Sequence, residues 1–136
     1  MRANLTNLSE GAEWSSNTRV LTGASSATKG SENMEAIKKA GGKATDAAGL
    51  CDAYVQGEFN DWYLPASDEL QTLYTVMVGI NKTLSATAGS QTLESAFYWS
   101  STEKMNGSAW GIDFESGTAT ASNKMRNGHV RAIRAF

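Results

Sequence analysis

Two side chains invite a chemical reading before anything else, Cys51 and His129, because each is the only one of its type in the chain. One cysteine excludes an internal disulfide, and together the two cannot supply the four Cys/His ligands of a structural zinc site. Cys51 lies among Gly49, Leu50, Ala53 and Tyr54, a small and apolar setting that predicts a buried structural thiol rather than a nucleophile. His129, beside Val130 and Arg131, reads as a surface or edge-strand histidine. No GxSxG, HExxH, GxGxxG or GxxxxGK[ST] pattern occurs, so the motif-bearing hydrolases, zinc proteases and nucleotide-binding enzymes lack their signatures. No enzymatic activity, no cofactor and no metal site is expected.

The elements that position these residues belong to one domain spanning 1–136, since the chain has 136 residues and a second core would have little chain to draw on. Charged residues make up 19%, below the ~25% common in soluble proteins, while Gly, Ser, Thr, Ala and Asn are abundant. That composition suits a turn-rich, partly β domain. Net charge is -2, so there is no overall basic field to attract phosphate backbones, and nucleic acid is not expected as a partner. No apolar run reaches the ~18 residues of a membrane span, so membrane insertion is not expected. The first sixteen residues hold no apolar core of a signal peptide.

In the N-terminal thirty residues, isolated apolar anchors (Leu5, Leu8, Trp14, Val20, Leu21) sit in a Ser/Thr/Asn/Gly background and predict short extended pieces packed on the rest. Ser31 as N-cap, Glu32 and Glu35, then Lys38 and Lys39 before Gly41-Gly42, predict a short helix. A second helix is expected from Thr45 to Gly57, with Ala47, Ala48, Cys51, Tyr54 and Val55 as its apolar stripe. A third starts at Ser67 after Pro65, with Leu70, Leu73, Tyr74, Met77 and Val78 on one face. From Phe97 onward the period becomes two. Asn106-Gly107, Ser116-Gly117 and Asn127-Gly128 divide strands near 97–102, 108–115, 118–124 and 129–135, an antiparallel meander. Helices followed by strands give the class α+β. The last forty residues set Lys104, Lys124, Arg126, Arg131 and Arg134 against Glu103, Asp113 and Glu115, which predicts a mildly cationic sheet end.

Asn60-Asp61-Trp62-Tyr63-Leu64-Pro65 followed by Ser67-Asp68-Glu69-Leu70, then Tyr98-Trp99-Ser100-Ser101-Thr102-Glu103, Ala109-Trp110, Phe114, Gly117, Lys124 and Val130-Arg131-Ala132-Ile133-Arg134-Ala135-Phe136, form an ordered set of motifs. This set resembles the C-type-lectin-like domains related to the C-terminal domain of collagen-like adhesins. The last part also resembles the frame that closes many variable proteins of diversity-generating retroelements.

The resemblance implies a C-type-lectin-like fold, two to three short helices plus an antiparallel sheet with C-terminal hairpins, and a place as the C-terminal part of a longer protein on a phage virion or bacterial cell surface. It implies a buried frame (Trp62, Leu64, Leu70, Tyr98, Trp99, Trp110, Phe114, Val130, Ile133, Phe136) that presents interchangeable side chains. The implied ligand-binding positions are Met105, Asn106, Ser108, Gly111, Asp113, Glu115, Ser116, Thr118, Thr120, Ser122, Asn123, Met125, Arg126, Asn127 and His129. The implied partner is a protein or glycan receptor on a target cell, with oligomerisation through the parent protein. The alternative is a constant-surface adhesin or assembly domain of the same fold. Calcium-dependent sugar binding is not expected: the Glu-Pro-Asn, Gln-Pro-Asp and Trp-Asn-Asp tripeptides of lectins are missing, and Phe59-Asn60-Asp61-Trp62 belongs to the structural segment before the third helix.

Overall fold

Seven consecutive buried residues, Phe97 to Glu103, begin the strand β3 (Phe97–Met105). A strand hidden along both faces must lie inside a sheet with cover on each side. In the computed structural model, which describes residues 2–3, 6–15, 21–56, 58–86 and 92–134, β3 is the centre of a five-stranded sheet of order β2-β6-β3-β4-β5. Its other members are β2 (Ser9–Ala12), β4 (Ser108–Asp113), β5 (Thr118–Asn123) and β6 (Gly128–Val130). A separate pair joins β1 (Arg2–Ala3) to β7 (Ile133–Arg134). Four helices precede β3: α1 (Gly30–Lys39), α2 (Ala47–Asp52), α3 (Ser67–Thr75) and α4 (Met77–Ser85). The class is α+β, as the order of periodicities predicts.

The meander holds for β3, β4 and β5, which pair antiparallel. It fails at β6, which returns to the far side of β3 and runs parallel to it, with Tyr98 opposite His129. The helical expectations also need correction. The first helix begins at Gly30 with no side-chain cap from Ser31; the Gly30 N–H donates instead to Glu69 Oε1 at 2.8 Å. The second helix stops at Asp52, so Tyr54 lies beyond it, edge-on to Trp62, and Val55 is exposed. The third breaks at Val76, leaving Met77 and Val78 in α4.

Two apolar clusters sit on the two faces of the sheet. Leu70 and Leu73 of α3 meet Tyr98, Ile112 and Phe114 on one face. On the other, Phe97, Trp99 and Val130 join Trp14, Ala47, Cys51 and Trp62. Trp14 is buried as expected, Leu8 packs partly buried on the cluster, and Leu21 is 65% exposed, contrary to its reading as an anchor. Leu5, Val20, Gly57 and Phe136 lie outside the described residues. Cys51 is fully buried, and desolvation pushes its thiol well above the ordinary range, in keeping with a structural role.

The chain after β5 is fixed by a buried ion pair. Lys124 Nζ lies 2.6 Å from Glu103 Oε2 with side-chain exposures of 0% and 4%. The same carboxylate accepts the Thr22 N–H at 2.9 Å and the Gly23 N–H at 3.3 Å. The ammonium also sits over the Trp14 ring at 4.7 Å, and Trp14 N–H donates to the Lys124 carbonyl at 2.8 Å. Burial pushes the Glu103 carboxyl up, but hydrogen bonds from Lys124 and Thr22, with the Lys124 charge, outweigh it and hold the group below its usual range.

Removing one partner of such a pair strands a buried charge at a cost of about 3–5 kcal/mol. Glu103→Gln should lower unfolding stability by that order in urea denaturation near neutral pH. A carboxyl whose folded pKa is depressed stabilises above its unfolded pKa and loses that contribution as pH falls through the folded value. The gap between the parent and Glu103→Gln should therefore close in strong acid; a gap unchanged by pH would contradict the assignment.

Candidate binding face on the C-terminal sheet

Cross-strand partners share a sheet face, and the β4–β5 register pairs Asp113 with Thr118, Gly111 with Thr120 and Ala109 with Ser122. These residues share the face that carries Phe97 and Trp99, which pair with Asp113 and Gly111. The loop between β5 and β6 closes its margin. Arg126 lies with its guanidinium carbon 3.9 Å from the Phe97 ring centroid and donates from Nη1 to Ser122 Oγ at 3.0 Å. Asp113, Thr118, Thr120, Ser122 and Arg126 thus form one patch of hydroxyls with an acid and a base, over a buried aromatic floor.

Local sequence explains why this patch can be presented. The β4–β5 turn is closed by Gly117 N–H donating to the Asp113 carbonyl at 2.7 Å, and Gly117 has φ +75°, a left-handed conformation that suits glycine. A Cβ there would also overlap the Tyr74 ring. β5 reads Thr-Ala-Thr-Ala-Ser-Asn, short side chains on an outer strand.

The fifteen implied positions do not form a single surface. Met105, Asn106, Ser108 and Asn123 lie at the β3–β4 hairpin end, where Met105 pairs with Ser108 and Ser108 with Asn123. Met125 and Asn127 are exposed in the adjoining loop. Glu115 and Ser116 lie in the β4–β5 turn at the opposite end, about 17 Å away at ~3.4 Å per residue along β4. Two positions depart from the expectation of solvent exposure. Gly111 is buried, and a Cβ would overlap the Phe97 ring and stand 2.7 Å from the Tyr98 carbonyl oxygen. His129 is half-buried on an interior strand, not an edge strand, with its ring 5.2 Å from that of Tyr98 and Nε2 3.2 Å from Glu94 Oε2.

Two further expectations are corrected by packing. Trp110 is only half-buried, with Lys104 Nζ 5.1 Å from its ring centroid, so it is no core residue. The cationic excess of the sheet end is partly offset from outside it, where Arg134 grips Asp61 at 2.8 and 3.1 Å, and Lys124 is buried against Glu103 rather than presented to solvent. The Arg134 hydrogen bonds hold the Asp61 carboxyl below its usual range, which commits Asp61 to the fold. Arg131 is buried, donating to Asn7 Oδ1 and the Thr92 carbonyl. The structure also gathers Glu10, Glu94 and His129, whose donor atoms lie within 4.8 Å of one another. Sequence separation hid that cluster.

Together these features define an α+β domain in which helices and buried aromatic strands support a polar two-strand face. The chain belongs to the Lcl C-terminal domain family, whose model matches residues 4–134. No curated protein matches the chain.

The register separates packing positions from free ones. Gly111→Ala should cost about 1–3 kcal/mol by overpacking, whereas Thr120→Ala, its cross-strand partner, should stay within ~0.5 kcal/mol. Thermal unfolding of the two variants checks this, and equal effects would refute the division.

Proposed function

We propose that this domain is a ligand-binding module of C-type-lectin-like type, displayed on a phage virion or bacterial surface, that recognises a protein or glycan receptor through side chains carried on a rigid sheet. The observation that carries the reading is the register of β4 and β5. It sets Asp113, Thr118, Thr120 and Ser122 side by side, reached by Arg126, while the residues that hold the fold lie beneath or behind them. Such an arrangement lets recognition change with little disturbance of packing, which a retroelement-diversified variable protein requires. The short, aromatic-poor side chains of β5 offer few of the rigid anchors on which paratopes depend. That feature favours a second reading, a constant-surface adhesin or assembly domain that docks within its parent protein.

Simultaneous exchange of Asp113→Ala, Thr118→Lys, Thr120→Lys and Ser122→Lys should abolish adsorption to receptor-bearing cells while shifting Tm by only a few degrees. Retained adsorption would sink the binding role of this face. The DNA separates the two readings: a diversified protein should have beside its gene a near-identical repeat of the segment encoding 98–136, differing at adenines, and a reverse transcriptase gene. A locus without them leaves the constant-surface reading.

A further inference from the structure

On the side of the sheet that carries Tyr98, three side chains from distant parts of the chain converge. Glu10 comes from β2, Glu94 from the segment leading into β3, and His129 from β6, and their donor atoms all lie within 4.8 Å of one another. The backbone of the site is built rather than incidental. β2 pairs with β6 through Ser9 opposite Val130 and Ala12 opposite Gly128, with a register irregularity between. Two residues, Glu10 and Gly11, therefore oppose the single residue His129, which is the pattern of a β-bulge, a device that re-aims a side chain. Tyr98 supplies a shared wall: its ring lies against His129 at 5.2 Å, and its hydroxyl accepts the Glu94 N–H at 3.1 Å. That hydroxyl in turn donates to Asn7 Oδ1 at 3.0 Å, which also takes Arg131 Nε at 2.9 Å. These contacts fix the Glu94 backbone and the position of the His129 ring, and so the places from which two of the three side chains reach inward.

We propose that Glu10, Glu94 and His129 form a three-ligand site for a divalent transition-metal ion of the zinc class, with positions left open for water or for an oxygen of a bound ligand. One imidazole nitrogen and two carboxylate oxygens suit zinc, whereas calcium takes six to eight oxygens. Tetrahedral zinc with bonds of ~2.0–2.2 Å sets its ligands roughly 3.4 Å apart. His129 Nε2 and Glu94 Oε2, at 3.2 Å, already meet that spacing. Glu10 is exposed with its ligand atom within 4.8 Å of the other two, so metal binding requires its carboxylate to move inward to zinc-ligand spacing. The local charge also favours a cation: the two carboxylates outnumber the one guanidinium, Arg131, that interacts with Glu94. Metal would tie β2, β6 and the approach to β3 together at one end of the sheet.

His129 is the only histidine, so with any purification tag removed its imidazole resonances report on the site without ambiguity. The test is titration of the metal-stripped full chain with zinc chloride, followed by calorimetry and by the His129 NMR signals, with calcium chloride in parallel. The expected result is one equivalent of zinc bound, a shift of the His129 signals, at least tenfold weaker binding in both Glu10→Gln and Glu94→Gln, and no comparable calcium heat. Glu10→Gln alters an exposed side chain, so it tests the site even where His129→Ala disturbs the sheet. Absence of a stoichiometric zinc heat, zinc affinity unchanged in Glu10→Gln, or calcium bound as tightly as zinc would overturn the proposal. A His129 signal that responds to Glu94→Gln but not to zinc would likewise overturn it, leaving a plain ion pair.

Discussion

The buried pair between Glu103 and Lys124 is the constraint on which the rest of the domain depends. Removing two charges from water is costly, and their attraction offsets the cost only when the remaining hydrogen-bonding capacity is also met. Here it is met by two stretches of the N-terminal segment, Trp14–Ser15 and Thr22–Gly23. Thr22 and Gly23 give backbone N–H groups to the carboxylate, Trp14 places its ring against the ammonium, and the Lys124 carbonyl takes the N–H groups of Trp14 and Ser15. The pair contributes placement more than net stability. It determines that the N-terminal segment crosses the end of β3 and that the chain leaving β5 turns inward.

That inward turn accounts for the topology. A chain leaving β5 could have continued the meander on the outer edge. With Lys124 drawn to the end of β3, it folds back across the Phe97 and Trp99 side and enters the sheet as β6, parallel to β3. Trp99 Nε1 then donates to the Ala12 carbonyl at 2.9 Å and Arg126 covers Phe97. One end of the aromatic floor is sealed by this loop, and the β4–β5 portion stays open as the polar face. Glu69 plays a comparable part among the helices: its carboxylate takes the N–H groups of Gly30 and Ala66 and the Tyr63 hydroxyl, so the starts of α1 and α3 share one acceptor. Placed there, the carboxylate also favours the positive ends of both helices.

The proposed recognition face and the proposed metal site occupy different sides of this frame. The face lies on β4 and β5, where short side chains flank Arg126, whose guanidinium covers the Phe97 ring. The Glu10, Glu94 and His129 cluster lies where β2, β6 and the approach to β3 meet, held by Tyr98 and Asn7. Both rest on the position of β6, so both inherit their geometry from the ion pair.

Local signals in the sequence determined the class and most of the elements. Pro65 followed by Ser67-Asp68-Glu69 marks the start of α3, and alternation through Trp110–Phe114 with the glycine dipeptides marks β4 and its turns, because propensity and periodicity act over a few residues. Burial of Trp14, Trp62, Tyr98, Trp99 and Phe114 was legible for the same reason, as large apolar rings have few other places to go. Other features depend on contacts between residues far apart in the chain, which no local pattern encodes. Glu69 in place of Ser31 at the start of α1, the parallel entry of β6, the burial of Gly111 against Phe97, the neutralised charges of Lys124 and Arg134, and the meeting of Glu10 with Glu94 are of this kind. Alternation alone also left Trp110 and Gly111 on the wrong sides of the ledger between core and surface. A strand covered on both faces has no polar side to reveal, and only the neighbours that tertiary structure supplies decide which of its residues remain free to bind.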